Sequence, residues 1–201
     1  MPRIASLLAC IALLLVACDR TPELTPLPTD AVILAFGDSL THGSGAPPGE
    51  GYPEVLAASI GRRVVSSGVP GEESDAGLAR LPEVLDQVEP DLVILGHGGN
   101  DLLRKRDLAR TKDNLRDMVA LARERGAAVV LLGVPKPGIL LGTHPLYQEL
   151  AEELEIPVEA EVLADVLGDR ALKADQIHPN AAGYRRVAEA IERLLERSGA
   201  L

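Results

Sequence analysis

Apolar residues fall along this chain in two alternating patterns. Unbroken apolar runs occur at residues 31–36, 92–95 and 127–134, each bounded by Gly, Pro or Asp. Runs of that length without polar alternation predict strands buried on both faces, as in a parallel sheet. Between them, apolar residues recur at helical spacing. Val55, Leu56 and Ile60 mark a helix over 52–60. Leu78, Leu81, Val84, Leu85 and Val88 mark a second that starts at Ser74-Asp75, with Pro82 expected to kink it. Leu115, Met118, Val119 and Ala122 mark a third over 111–125, closed by Gly126. Residues 145–154 and 180–197 complete the helices, and residues 62–66 and 156–158 read as shorter strands. Strands alternating with helices predict a parallel sheet covered on both faces, connected right-handedly.

The amino terminus stands outside this pattern. Arg3 precedes an apolar stretch over residues 4–16 that is short for a bilayer span and ends in Leu15-Val16-Ala17-Cys18. L-V-A-C resembles the lipobox of bacterial lipoproteins, which implies removal of residues 1–17 and lipidation of Cys18. Asp19 after that cysteine favours retention in the inner membrane, facing the periplasm. Residues 18–30 hold Pro22, Pro26 and Pro28 with Thr and Glu, and are expected to form a semi-rigid tether. Residues 31–201 then form one domain, long enough for a sizeable core.

Charge and cysteine usage narrow the function. The 201-residue chain carries a net charge of −10, and losing the segment with Arg3 makes it one unit more negative. An acidic body argues against nucleic acid and against charge-driven docking on anionic lipid, leaving the anchor at Cys18 as the membrane contact. Cys10 falls in the removed segment and Cys18 takes the lipid, so the mature body has no thiol for a disulfide or a nucleophile. With no Trp, one Phe and three Tyr, no aromatic platform for bases or sugars is visible.

Candidate chemistry sits at predicted strand ends. Ser39 follows the first strand in Gly37-Asp38-Ser39, where open α/β sheets build their sites. The same residues also suit an ordinary turn with a helix cap, so the serine needs partners. Asp175-Gln176-Ile177-His178-Pro179-Asn180 supplies two of them. Pro179 keeps His178 on a loop and Asn180 caps the following helix. An acid three residues before a His can accept its Nδ1 proton, leaving Nε2 free to deprotonate a hydroxyl. Asp175 suits that role better than Asp38. Backbone amides of Ser39 and Gly71, with the side-chain amide of Asn100, provide three candidate donors for an oxyanion.

These blocks resemble the SGNH (GDSL-type) hydrolase family, in particular its small bacterial periplasmic thioesterase, lysophospholipase and arylesterase group. The similarity runs from about Val32 to the terminal helix, through G-D-S-L-T at 37–41, G-E-E-S and G-L-A-R-L-P within 71–82, G-G-N-D at 98–101 and D-x-x-H-P-N at 175–180. It implies a three-layer α/β/α sandwich, flavodoxin-like, with no metal or cofactor. It also implies Ser39 as nucleophile, His178 and Asp175 as its partners, and Ser39, Gly71 and Asn100 as the oxyanion hole. Gly96-His97 stands where the thioesterase group commonly has Glu-Leu. The activity implied is hydrolysis of carboxylic or thioesters, with acyl, aryl or lysophospholipid substrates. A carbohydrate or peptidoglycan O-acetylesterase is the alternative, and a non-catalytic envelope lipoprotein a further one.

Other residues offer less. His42, His97 and His144 lack metal-ligand spacing with an acid on one helix face. Leu102 and Leu103, followed by Arg104, Lys105, Arg106 and Arg110, read either as an acyl contact rimmed by positive charge or as a solvated helix start. Ile139, Leu140 and Leu141 suit either an acyl-chain wall or core packing.

Overall fold

The computed structural model describes residues 21–138 and 142–201. The proposed signal segment, Cys18 and Asp19 lie outside the described residues, as do Ile139, Leu140 and Leu141. Five parallel strands form one sheet in the order β2-β1-β3-β4-β5: β1 Val32–Gly37, β2 Arg63–Gly68, β3 Leu92–Gly96, β4 Ala128–Leu132 and β5 Val158–Glu159. The interior strands β1, β3 and β4 are buried almost throughout, as their unbroken apolar runs predict. The edge strand β2 is only half buried, in keeping with its Ser66-Ser67 polarity.

Helices cover both faces. α2 (Tyr52–Ile60) packs on α8 (Ala181–Arg197), which also meets α7 (Val162–Gly168). α3 (Ser74–Val88) packs on α5 (Leu108–Glu124), which in turn meets α6 (Pro145–Leu154). Two short helices, α1 (Ser39–His42) and α4 (Gly99–Leu103), follow β1 and β3 directly. The result is the expected α/β sandwich around a Leu-, Val-, Ile- and Ala-rich core.

Several boundaries differ from expectation for identifiable reasons. α5 begins three residues earlier because Asp107 caps it, its carboxylate accepting from the Ala109 amide at 2.9 Å. α3 runs unbroken through Pro82. Neither α4 nor α7 was anticipated, since helices of five and seven residues are too short to show a helical period. The expected tether is also not free over its described length. The Leu24 N–H donates to the Ser198 carbonyl at 2.7 Å and the Leu27 N–H to Ala200 at 2.9 Å. Both leucine side chains pack against the core.

The strand order reverses beside β1: the chain goes from β1 outward to β2, then back across to β3. In open parallel sheets the crevice at such a switch point, beyond the carboxyl ends of the strands, is where ligands bind. Ser39 and Asn100 follow the two strands that flank it.

Candidate active site

β1 ends in Gly37 because nothing larger fits there. A Cβ at that position would overlap the Gly96 carbonyl and the Thr41 hydroxyl. Asp38 then caps α1, its Oδ1 accepting from the Leu40 amide at 3.0 Å. Ser39 is therefore the first residue of a helix, where backbone N–H groups have no intrahelical acceptor.

The segment between α7 and α8 brings two further groups to this serine. Asp175 Oδ1 accepts from the backbone amides of Ile177 (2.8 Å) and His178 (2.9 Å), closing an Asx-type turn. Its Oδ2 lies 2.8 Å from His178 Nδ1, and His178 Nε2 lies 3.0 Å from Ser39 Oγ. An Nδ1 proton donated to the carboxylate leaves the Nε2 lone pair facing the serine hydroxyl, which then donates. Burial raises the Asp175 pKa, but the hydrogen bonds from His178 and the two amides outweigh it and hold the carboxyl below its ordinary range. Asn180 caps α8 through an Oδ1 bond from Gly183 N–H and holds the Ala171 carbonyl with Nδ2, fixing the loop from both ends.

Asn100 lies in the same cleft, on the first turn of α4. Its Nδ2 donates to Asp38 Oδ2 at 3.0 Å and to the Glu72 carbonyl at 3.1 Å. Both amide hydrogens thus have internal acceptors, and an oxyanion would share or displace one of them. Asp38 is fully buried, which pushes its carboxyl up against the opposing pull of the Leu40 amide. The structure makes it a holder of Asn100 and of α1, and the acid hydrogen-bonded to His178 is Asp175. Gly71 sits one residue before Glu72 at φ +79°, a left-handed turn position suited to glycine, and its carbonyl accepts from Arg104 at 3.0 Å.

A buried ionic group beneath this turn was not anticipated as a unit. His97 has no exposed surface and places Nε2 3.0 Å from Glu72 Oε2, while the Gly98 amide donates to its Nδ1 at 3.1 Å. That pair of bonds assigns the ring proton to Nε2. Arg80 grips the same carboxylate through two nitrogens at 2.7 and 2.9 Å and lies over the Phe36 ring at 4.2 Å. Gly77 makes room for the imidazole, since a Cβ there would overlap it. Burial raises the Glu72 pKa, but His97 and Arg80 pull it down further, to about 2.

A carboxyl depressed in the folded state stabilises the fold above its ordinary pKa and loses that contribution as pH falls through the depressed value. Glu72→Gln is therefore expected to cost about 2 kcal/mol near pH 7, less than the full shift because Arg80 is partly solvated. In urea unfolding the gap between the two proteins should narrow below about pH 4.5 and close near pH 2. A gap independent of pH would show that Glu72 contributes by shape alone.

A second buried cluster fixes the start of α3. Asp101 accepts from the Ser74 hydroxyl at 2.6 Å and the Ser74 amide at 2.9 Å, and Asn114 donates to the same serine at 2.9 Å. The three tyrosines pin α1 and the segments after α1 and β3. Tyr52 OH pairs with Thr41 Oγ1 at 3.2 Å, Tyr147 OH donates to the His97 carbonyl at 2.7 Å, and Tyr184 OH to the Ser44 carbonyl at 2.8 Å.

Of the other candidates, His42 is exposed at the end of α1 and His144 caps α6. Among the described residues no group of three His, Cys, Asp or Glu side chains is placed to hold a metal. Arg104 and Arg106 both pair with Glu73, and Arg110 pairs with Asp75, so these guanidinium groups serve the protein surface. Leu103 is exposed and lines the cleft, whereas Leu102 is buried.

The cleft has a volume of about 760 Å³. Leu40, Leu103, Val134, Pro135, Leu167 and Ile177 give it an apolar wall, with Ser39 and Asn100 at one side. A serine hydroxyl in line with an imidazole and a carboxylate, beside a cleft with one apolar wall, suits acyl transfer. Residues 35–186 match the GDSL-like lipase/acylhydrolase family. The chain belongs to that family.

Relatives and solved structures agree over most of their lengths. The esterase TesA of Pseudomonas aeruginosa is 32% identical over 191 residues, covering 89% of this chain and 94% of that protein. An arylesterase of Vibrio mimicus is 30% identical, over 78% of this chain and 84% of its own. A crystal structure of TesA superposes with a TM-score of 0.74 at 31% identity, covering 82% of this chain and 98% of that one. AlinE4, an SGNH-hydrolase family esterase, gives 0.64 at 32%, covering 84% and 96%. This GDSL/SGNH chain is accordingly an ester hydrolase by family.

Proposed function

We propose that the protein is a serine esterase that works through an acyl-enzyme on Ser39. His178 Nε2 takes the Ser39 hydroxyl proton as Oγ bonds to the substrate carbonyl carbon. The Ser39 and Gly71 amides and Asn100 Nδ2 stabilise the resulting oxyanion. His178 then gives that proton to the leaving oxygen or sulfur as its bond to carbon breaks. Water adds to the acyl-enzyme by the same route, its proton passing through His178 back to Ser39 Oγ as the carboxylic acid leaves. Asp175 holds the imidazole tautomer and stabilises the imidazolium. The observation that carries this reading is the line Asp175–His178–Ser39 at 2.8 and 3.0 Å, beside a cleft with an apolar wall.

The cleft wall favours an acyl or aryl group over a bare acetyl, since each buried methylene contributes roughly 0.8 kcal/mol. A fluorophosphonate is expected to label the full chain once, at Ser39, and the label should vanish in Ser39→Ala. p-Nitrophenyl octanoate should exceed the acetate in kcat/KM by at least about tenfold. A preference for acetate would favour the O-acetylesterase alternative, and an unlabelled Ser39 would remove the mechanism. Cys18, in its L-V-A-C context, is proposed to carry a lipid anchor that holds the domain at the periplasmic face of the inner membrane.

A further inference from the structure

The segment before β1 is docked on the edge of the molecule opposite the cleft. Leu24 and Leu27 donate to the carbonyls of Ser198 and Ala200, which follow the last turn of α8. Arg62, which precedes β2, donates to the carbonyls of Leu27 and Pro28. All of these groups lie at the amino-terminal edge of the parallel sheet. Thr21 and Pro22 continue past Arg197 at the end of α8 and Glu155 at the end of α6, along a groove on the β5 flank that also includes Val158, Glu159 and Glu161.

Ser39 and Asn100 lie at the carboxyl-terminal edge. α8 itself measures the separation: His178 and its cap Asn180 stand before its first turn, and the docked segment meets it after its last. Seventeen helical residues span about 25 Å. β1, six residues between the docked segment and the Asp38-Ser39 turn, spans about 20 Å.

We propose that residues 21–30 are an orienting strap that holds the Ser39 cleft away from the membrane in which Cys18 is anchored. The enzyme then takes esters dissolved in the aqueous space and not lipid esters of its own leaflet. This rests on the esterase and anchor readings above. Twelve free residues would reach up to about 37 Å, enough for the body to turn its cleft onto the bilayer. With the strap docked, only three residue steps, about 10 Å of chain, separate Cys18 from Thr21. The acidic balance of the chain further opposes lying flat on anionic head groups. A leaflet ester is local to the anchor, yet a short link lets tethered partners meet only where geometry permits.

The test uses the full chain, acylated at Cys18, in vesicles of phosphatidylethanolamine and phosphatidylglycerol. It is compared with a form carrying a twelve-residue Gly-Ser insertion after Arg20, which lengthens the link and leaves the docked residues intact. Both forms should hydrolyse dissolved p-nitrophenyl butyrate equally. p-Nitrophenyl palmitate embedded in the same vesicles should be cleaved at least about tenfold faster by the inserted form. The thiol-free body also permits single labels. A fluorophore at Thr29→Cys should transfer energy to a bilayer dye more strongly than one at Lys136→Cys beside the cleft. Equal palmitate rates, equal transfer, or an unacylated Cys18 by mass spectrometry would overturn the strap. Failure on the dissolved butyrate would overturn the esterase reading, with the transfer contrast still deciding the orientation.

Discussion

Ser39→Ala is expected to lower kcat for p-nitrophenyl esters by about 10⁴–10⁶, with His178→Ala close behind. The two losses should not add. Oγ becomes a competent nucleophile only as Nε2 removes its proton, across the 3.0 Å that separates them, so either deletion ends the same step. The double variant should therefore sit within about tenfold of the worse single one. Stopped assays at high enzyme concentration, with circular dichroism to check the fold, would decide it. Retained activity in Ser39→Ala would mean that some other group attacks the carbonyl.

Asn100→Ala is expected to lower kcat by about 10²–10³ with a much smaller change in KM, because an oxyanion donor acts on charge that exists only beyond the ground state. The change also strips partners from buried Asp38 and from the Glu72 carbonyl, so a stability loss of about 1–3 kcal/mol should accompany it. The two effects separate experimentally. Thermal unfolding reports the stability loss, while kcat measured well below the midpoint reports the donor. A variant that melts early yet turns over ester normally would limit Asn100 to holding Asp38 and the 71–73 turn together.

Much of the fold was legible because β1, β3 and β4 are buried on both faces and so lack polar alternation. The Ser39 and His178 loops were legible for a related reason. Each is bounded by residues with a local duty: Gly37 at a crowded strand end, Pro179 and Asn180 at a helix start. What escaped depends on contacts between distant segments. Leu24 and Leu27 lie among prolines, and the core, the residues after α8 and Arg62 that hold them are all remote in sequence. Glu72, Arg80 and His97 come from three separate segments, and nothing in their spacing brings the three together. Asp38 lies beside the serine and invites a catalytic reading, yet its partners are Leu40 and Asn100.

The placement of the tyrosines gives the molecule a built-in optical probe. The chain has no tryptophan, so its near-ultraviolet signal comes chiefly from three phenols, each bonded to a segment that follows β1 or β3 at the carboxyl edge of the sheet. Burial raises all three pKa values above that of free tyrosine. Raising the pH should therefore leave phenolate absorbance flat past 10 and then bring it up in one sigmoid as the fold opens. An early, one-third step in that curve would mark a single catalytic loop coming loose while the sheet still holds.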